Sequence, residues 1–130
     1  MTYDNQAELA YVHLVSNNRN IKVKNTDELE ENSDLNLDFD ASGKVIGIEF
    51  FGFTALKFRD MNNVKKIYTK NQSDKGIIYS FRLADIKPKK SVQVNGLVLY
   101  FKGEEFEDFV GLDITDVNLY GREILDSLTI

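Results

Sequence analysis

Residues 35–53, LNLDFDASGKVIGIEFFGF, carry the clearest alternation of apolar and polar positions in the chain. Leu35, Leu37 and Phe39 alternate with Asn36, Asp38 and Asp40, the period-two signature of a strand with one buried face. Asp40-Ala41-Ser42-Gly43 supplies turn chemistry, with Gly43 able to take the positive φ at the loop end, and a second apolar run comes next. A four-residue loop predicts Leu37 opposite Ile46 and Leu35 opposite Ile48, so that both apolar sets share one side. A three-residue loop would mix apolar with polar positions.

The same kind of pattern organises the rest of the chain. Residues 3–6 read as a polar turn, and Leu9, Tyr11 and His13 then alternate with Ala10, Val12 and Leu14; apolar residues on both faces predict a central strand covered on both sides. Residues 20–24 predict a short strand with Ile21 and Val23 inward. Asn25 to Glu28 can begin one helical turn capped by Asn25, and the acidic run to Asn32 is an exposed connection. Residues 54–59 form a helical or extended link closed by a turn at 60–63. Strands are expected at 64–70 and 76–84 around a loop at 71–75, at 92–94 and 97–101 around a type I′ Asn95-Gly96 turn, and at 109–114. The one proline, Pro88, falls in the break at 86–90, where a lost donor does little harm. Val117, Tyr120, Ile124, Leu125 and Leu128 recur at helical spacing, so residues 116–130 predict a helix capped by Asp116, weakened at Gly121 and docked by its apolar stripe on the sheet.

The expected fold is α+β and mostly antiparallel β: a hairpin meander with a C-terminal helix packed on it. Its halves are 1–56 and 57–130, joined in one compact unit. Leu97-x-Leu99-x-Phe101 followed by Val110-Gly111-Leu112-Asp113-Ile114 echoes Leu35-x-Leu37-x-Phe39 followed by Ile46-Gly47-Ile48-Glu49-Phe50, with an offset that drifts from 62 to 64 residues. Such an echo arises either from a degenerate duplication, giving two related β halves, or by chance between hairpins.

Composition narrows the setting. A chain of 130 residues can bury a core without staples, and with no cysteine it excludes disulfides and thiolate metal sites. The start, Met1-Thr2-Tyr3-Asp4, has no basic or apolar leader and no apolar run reaches membrane-spanning length, so the expected location is cytoplasmic. The net charge of −5 is layered: residues 1–56 carry ten acidic and four basic side chains, 57–90 three acidic and ten basic, and 91–130 eight acidic and two basic. Either the basic middle lies beside acidic strands in the fold, or it presents a face to phosphate or to an acidic partner.

Candidate chemistry is sparse. Asp38, Asp40, Ser42, Gly43, Val45 and Glu49 match the spacing of an EF-hand calcium loop, but that loop needs a helix on each side, and strict alternation at 35–39 argues for the hairpin. His13 is the only histidine and shows no orienting partner, which favours a surface or hydrogen-bonded role over a catalytic one. Lys65, Lys66, Lys70, Lys75 and Arg82 accompany Tyr68, Tyr79 and Phe81, a mixture that suits either a platform for single-stranded nucleic acid or an ordinary amphipathic sheet. There is no phosphate-cradling glycine loop, nucleophile elbow or His-rich metal spacing. The residues therefore suggest no catalytic, cofactor-binding or metal position, no cofactor, no small molecule and no membrane partner.

One resemblance adds to this. Tyr3-Asp4, Ala7, Tyr11-Val12 and Leu14, followed by Leu37-Asp38-Phe39-Asp40, Gly43 and Gly47-Ile48-Glu49, resemble the motifs of the bacterial family called domain of unknown function 2283, over about residues 1–53. The resemblance implies a small antiparallel β-meander, places the D-x-D…G…GIE pattern in a hairpin, and implies no activity. It makes an antitoxin-like role beside a small toxin thinkable. The leading expectation is a non-enzymatic interaction or structural module of a bacterial cytoplasmic protein that associates with itself or with another protein, through sheet edges or the helix. The alternative is binding of nucleic acid or an acidic partner through 57–90.

Overall fold

The computed structural model describes residues 1–15 and 21–130. The chain divides into two compact units, Met1–Lys65 and Lys66–Ile130. The first holds β1 (Thr2–Asp4), β2 (Leu9–His13), β3 (Asn25–Glu28), β4 (Leu35–Phe39), β5 (Val45–Phe51), the short helix α1 (Gly52–Leu56) and a 3-10 turn at Arg59–Met61. The second holds β6 (Thr69–Ser73), β7 (Gly76–Arg82), β8 (Lys90–Val94), β9 (Leu97–Phe101), β10 (Phe109–Ile114), α2 (Val117–Tyr120) and α3 (Arg122–Ser127). Each unit is a five-stranded antiparallel sheet followed by helix. The fold is α+β with mostly antiparallel β.

The two sheets repeat one topology. Their strand orders, β1-β2-β5-β4-β3 and β6-β7-β10-β9-β8, are the same order shifted by five strands. The last strand of each sheet inserts between an N-terminal hairpin and the two strands before it, so neither is a simple meander. The repeat extends to irregularities: Ile46 bulges out between the pairs Asp38–Gly47 and Phe39–Val45, and Val110 bulges out between Tyr100–Gly111 and Phe101–Phe109. Each bulged residue's carbonyl accepts from the strand on its other side, Ile46 from the Leu14 amide and Val110 from the Leu83 amide, both within 3.0 Å. The echo between 35–50 and 97–114 is therefore a correspondence of register, Leu37 with Leu99 and Gly47 with Gly111.

The turn and the bulge together correct the expected hairpin pairing: the Asp40 amide donates to the Lys44 carbonyl, so the loop is residues 41–43 rather than 40–43 and the pairing moves by one, and the bulge moves it by one more. Leu37 pairs with Ile48 and Leu35 with Phe50, two residues further on than a plain four-residue loop gives, and Val45 and Ile46 are both buried. Even-odd burial is thus interrupted at the bulge, while Leu35, Leu37, Ile48 and Phe50 still share the inner face. Against that face pack Ala55 of α1 and Phe58, whose ring lies 4.6 Å from that of Phe50. The Met1 ammonium donates to the Val64 carbonyl and the Asn63 amide to the Met1 carbonyl, so residues 57–65 complete the first unit.

Other expectations shift for physical reasons. Residues 21–24 are not strand, Val23 is 50% exposed, and the third strand begins at Asn25. Asn20 and the polar stretch 16–18 lie outside the described residues. Asn25–Glu28 is an edge strand rather than a helical turn, and its four polar residues show no alternation because both of its faces are wet. Residues 64–68 are not strand; Tyr68 bridges Thr129 instead, and β6 runs to Ser73, with Asp74-Lys75 as a two-residue turn. The Asn95-Gly96 turn forms as expected, with φ of 33° and 80°. The single helix expected over 116–130 is two. Asp116 caps α2 through the Leu119 amide, but Gly121 at φ 92° breaks the run, and Tyr120 and Leu125 are buried on either side of the break.

Candidate functional site

Polar chemistry in each unit collects on the sheet face opposite the apolar one, around a glycine in the central strand. In the first unit Tyr11 of β2 reaches over Gly47 of β5 and its hydroxyl donates to Asp38 of β4 at 2.7 Å. Thr26 of β3 donates to the other oxygen of the same carboxylate. A Cβ on Gly47 would stand 1.9 Å from the Tyr11 hydroxyl and 2.3 Å from its ring, so only glycine leaves the saddle open. Burial, and then the hydrogen bond to Asp38, push the Tyr11 hydroxyl pKa far above its ordinary value. His13 lies against Tyr11, ring centroids 4.7 Å apart, and burial followed by the N-terminal ammonium lowers its pKa. Its ring packs edge-on against the tyrosine.

We expect Gly47→Ala to lower stability by about 1–3 kcal/mol through overpacking. Tyr11→Ser, which installs the small residue that the second unit carries at the matching position, Ser80, should recover part of that loss. A double-mutant cycle by urea denaturation checks it: equal costs with and without Tyr11 would mean that the ring is not what fills the saddle.

The second unit solves the same position with other residues. Arg82 of β7, which matches His13, crosses Gly111 to reach Asp113 at 2.9 Å and stacks 4.8 Å from the ring centroid of Tyr100. Tyr100 donates to the other Asp113 oxygen at 2.8 Å. Asp113 is 5% exposed, so burial opposes its charge, yet hydrogen bonds from Arg82, Ser80 and Tyr100 outweigh that and hold its carboxyl below the usual range. Burial, then the bond to Asp113, push Tyr100 up to about 12. Because the folded carboxyl is the stronger acid, its contribution is full above the ordinary carboxylate pKa and is lost as pH falls through the folded value. We expect Asp113→Asn to cost about 1–2 kcal/mol at neutral pH, tempered by the partial exposure of Arg82, and to flatten the acid side of the stability curve. Thermal melts from pH 3 to 7 read this, and parallel curves for the two proteins would refute it.

The remaining residues singled out in the sequence are dispersed. The stretch with calcium-loop spacing is β4, a turn and β5, flanked by strand and not by helix. Asp40 is turned inward on its own loop, accepting from the Ser42 and Lys44 amides at 3.0 and 3.1 Å, while Asp38 is held by Tyr11 and Thr26. Burial disfavours the Asp40 charge, but the bonds from Ser42 and Lys44 prevail and lower its pKa. Glu49 pairs across β5 with Tyr11 and Asn36. Tyr68, Tyr79 and Phe81 are at most 2% exposed, so the rings on which nucleic acid would stack are core residues. Lys70 is tied to Asp126 at 3.1 Å and Arg82 to Asp113, so part of the basic middle neutralises acidic side chains of the C-terminal third. The Lys70–Asp126 pair is open to water, and removing it should change stability by less than about 1 kcal/mol.

The strand edges are the other feature that the fold exposes; of the edge strands, the sequence pattern places β8, at 92–94, as a strand but not as an edge. The β1 edge is closed: the Asn62 side chain accepts from the Tyr3 amide at 3.0 Å. The other three run along the surface. The Leu29 amide bonds to the Leu35 carbonyl, which by alternation turns the main-chain groups of Thr26 and Glu28 outward. The two-residue turns after β6 and β8 likewise turn Lys70 and Gln72, and Ser91 and Gln93, outward. Beside β8, Lys87 and Lys89 line an open groove of about 550 Å³ with Lys102 and carboxylates of the 104–108 loop.

Among the described residues no helix is long and apolar enough to cross a membrane. Residues 1–53 match the family model described as "Protein of unknown function (DUF2283)". Over 130 residues the chain is 30% identical to the "Uncharacterized protein YuzE" of Bacillus subtilis (strain 168), covering 99% of this chain and 96% of that protein. No solved structure matches. With the family model on the first unit and a relative aligned across both, the chain belongs to the DUF2283 family.

Proposed function

We propose that this chain is a non-enzymatic protein-interaction module that associates with itself by adding strands at its sheet edges. The observation that supports this best is the exposure of β3, β6 and β8, whose outward main-chain groups offer ready-made pairing sites. The polar residues around Gly47 and Gly111 are committed to one another: Asp38 to Tyr11 and Thr26, Asp113 to Arg82 and Tyr100. Their arrangement shapes the sheet, and the outward main-chain groups of the edges are what the sheets offer a partner.

Light scattering of the purified chain across a concentration series tests the reading. A mass that climbs above the 14.9 kDa of one chain is the expected result, and a monomer at the highest soluble concentration overturns it. Retention on single-stranded RNA or DNA that falls with salt would favour the basic segment 57–90 as the working surface instead.

A further inference from the structure

Resting on that reading, we infer that the contact is made by two particular edges: β3 of one chain adds antiparallel to β8 of a second copy. The two strands hold the same place in the repeated topology, each the last strand on the open side of its sheet. They carry opposite charge. Residues 24–31, KNTDELEE, hold four carboxylates and one lysine, whereas residues 86–93, IKPKKSVQ, hold three lysines and no acid.

Among the described residues those charges have no ion-pair partner. Asp27, Glu28 and Glu30 are exposed and form no ion pair among the described residues, nor do Lys87, Lys89 and Lys90. Glu104, Glu105 and Glu107 share a groove with Lys87 and Lys89, yet among the described residues none forms an ion pair with them. Lys90 lies over the Phe106 ring, which leaves its charge in place.

Direction and partner choice come from the charges. Antiparallel pairing with Thr26 opposite Ser91, both with main-chain groups outward, sets Asp27 opposite Lys90, Glu28 opposite Lys89 and Glu30 opposite Lys87. Parallel pairing would send the acidic end of β3 toward Gln93 and Val94. Two β3 edges repel, as do two β8 edges, so the charges that block like pairing leave the unlike pairing favoured. The β6 edge lacks this complementarity, because Lys70 is held by Asp126.

The test uses two charge-reversal variants of the full chain, D27K/E28K/E30K and K87E/K89E/K90E, with circular dichroism to confirm folding. Each alone should self-associate at least about tenfold more weakly than the unaltered chain, since three attractive pairs become repulsive. Mixed in equal amounts they should associate again, because each supplies the charge that the other has lost, and all six changes in one chain should restore self-association. An unaltered chain that stays monomeric sinks both the general reading and this one. Self-association that persists in both variants, or that fails to return in the mixture, sinks the β3–β8 pairing and leaves the general reading standing.

Discussion

Gly111→Ala should lower stability by about 3 kcal/mol, the largest loss expected from adding one carbon to this chain. A Cβ at this position would stand 2.2 Å from the carbonyl oxygen of Phe81 and 3.0 Å from the Cα of Arg82. These are main-chain atoms of β7, which pairs with β10 at Gly111–Arg82, so relief requires prising the two strands apart. The same move disturbs Arg82, whose guanidinium crosses the glycine to reach Asp113. Gly103→Ala is the control. The nearest atoms to its Cβ belong to the Glu107 side chain, which can rotate away at the loss of one exposed bond from the Glu105 amide, and the expected cost stays within about 0.5–1 kcal/mol. Thermal melts of the two variants should differ by on the order of 10 °C. If they coincide, β7 and β10 are not as close at Gly111 as the fold requires.

How much of this could be read from sequence depended on whether a residue's role was set locally. Leu35, Leu37, Ile48 and Phe50 announce a buried face by their own spacing, and Asn95-Gly96 announces its turn by its own chemistry. The bulges at Ile46 and Val110 are different: an extra apolar residue in an apolar run leaves the alternation looking intact while it moves the pairing by one. Asn25–Glu28 is invisible as a strand because an edge with two wet faces needs no apolar residue. Tyr68, Tyr79 and Phe81 read as a surface among lysines because amphipathic strands place both kinds side by side, and only the packing of Tyr120 and Leu125 on either side of the Gly121 break shows which face is inside.

The glycine saddles show the same limit. Gly47 and Gly111 are legible as matching letters in an echo, but what each makes room for comes from a neighbouring strand: Tyr11 from 36 residues upstream, Arg82 from 29. The two units fill the space over a matching glycine with unlike polar partners: Tyr11 spans Gly47 to reach Asp38 on the far strand, whereas Arg82 lies over Gly111, stacks on Tyr100 of the far strand and bonds to Asp113 two residues along the glycine's own strand. A shared shape with exchanged chemistry supports a scaffold role for these clusters, and it moves attention to the edges, where the two units differ in sign.

Phe58→Ala should cost about 3–5 kcal/mol, and it decides where the first unit ends. By sequence pattern alone the boundary falls after residue 56, and residues 57–59 belong to a link. In the fold Phe58 is fully buried, stacked at 4.6 Å and a 32° tilt on Phe50, and its amide closes the turn onto Ala55. Removing the ring opens a cavity beneath β5, the strand on which both β2 and β4 pair. Amide exchange should therefore quicken in β2, β4 and β5 together rather than in residues 57–65 alone. Phe53→Ala supplies the comparison: that ring is 85% exposed, and its loss should change stability by no more than about 0.5 kcal/mol. Equal melting of the two variants would mean that the core under β5 closes without residue 58, and that the unit carrying the family motifs is complete by the end of α1.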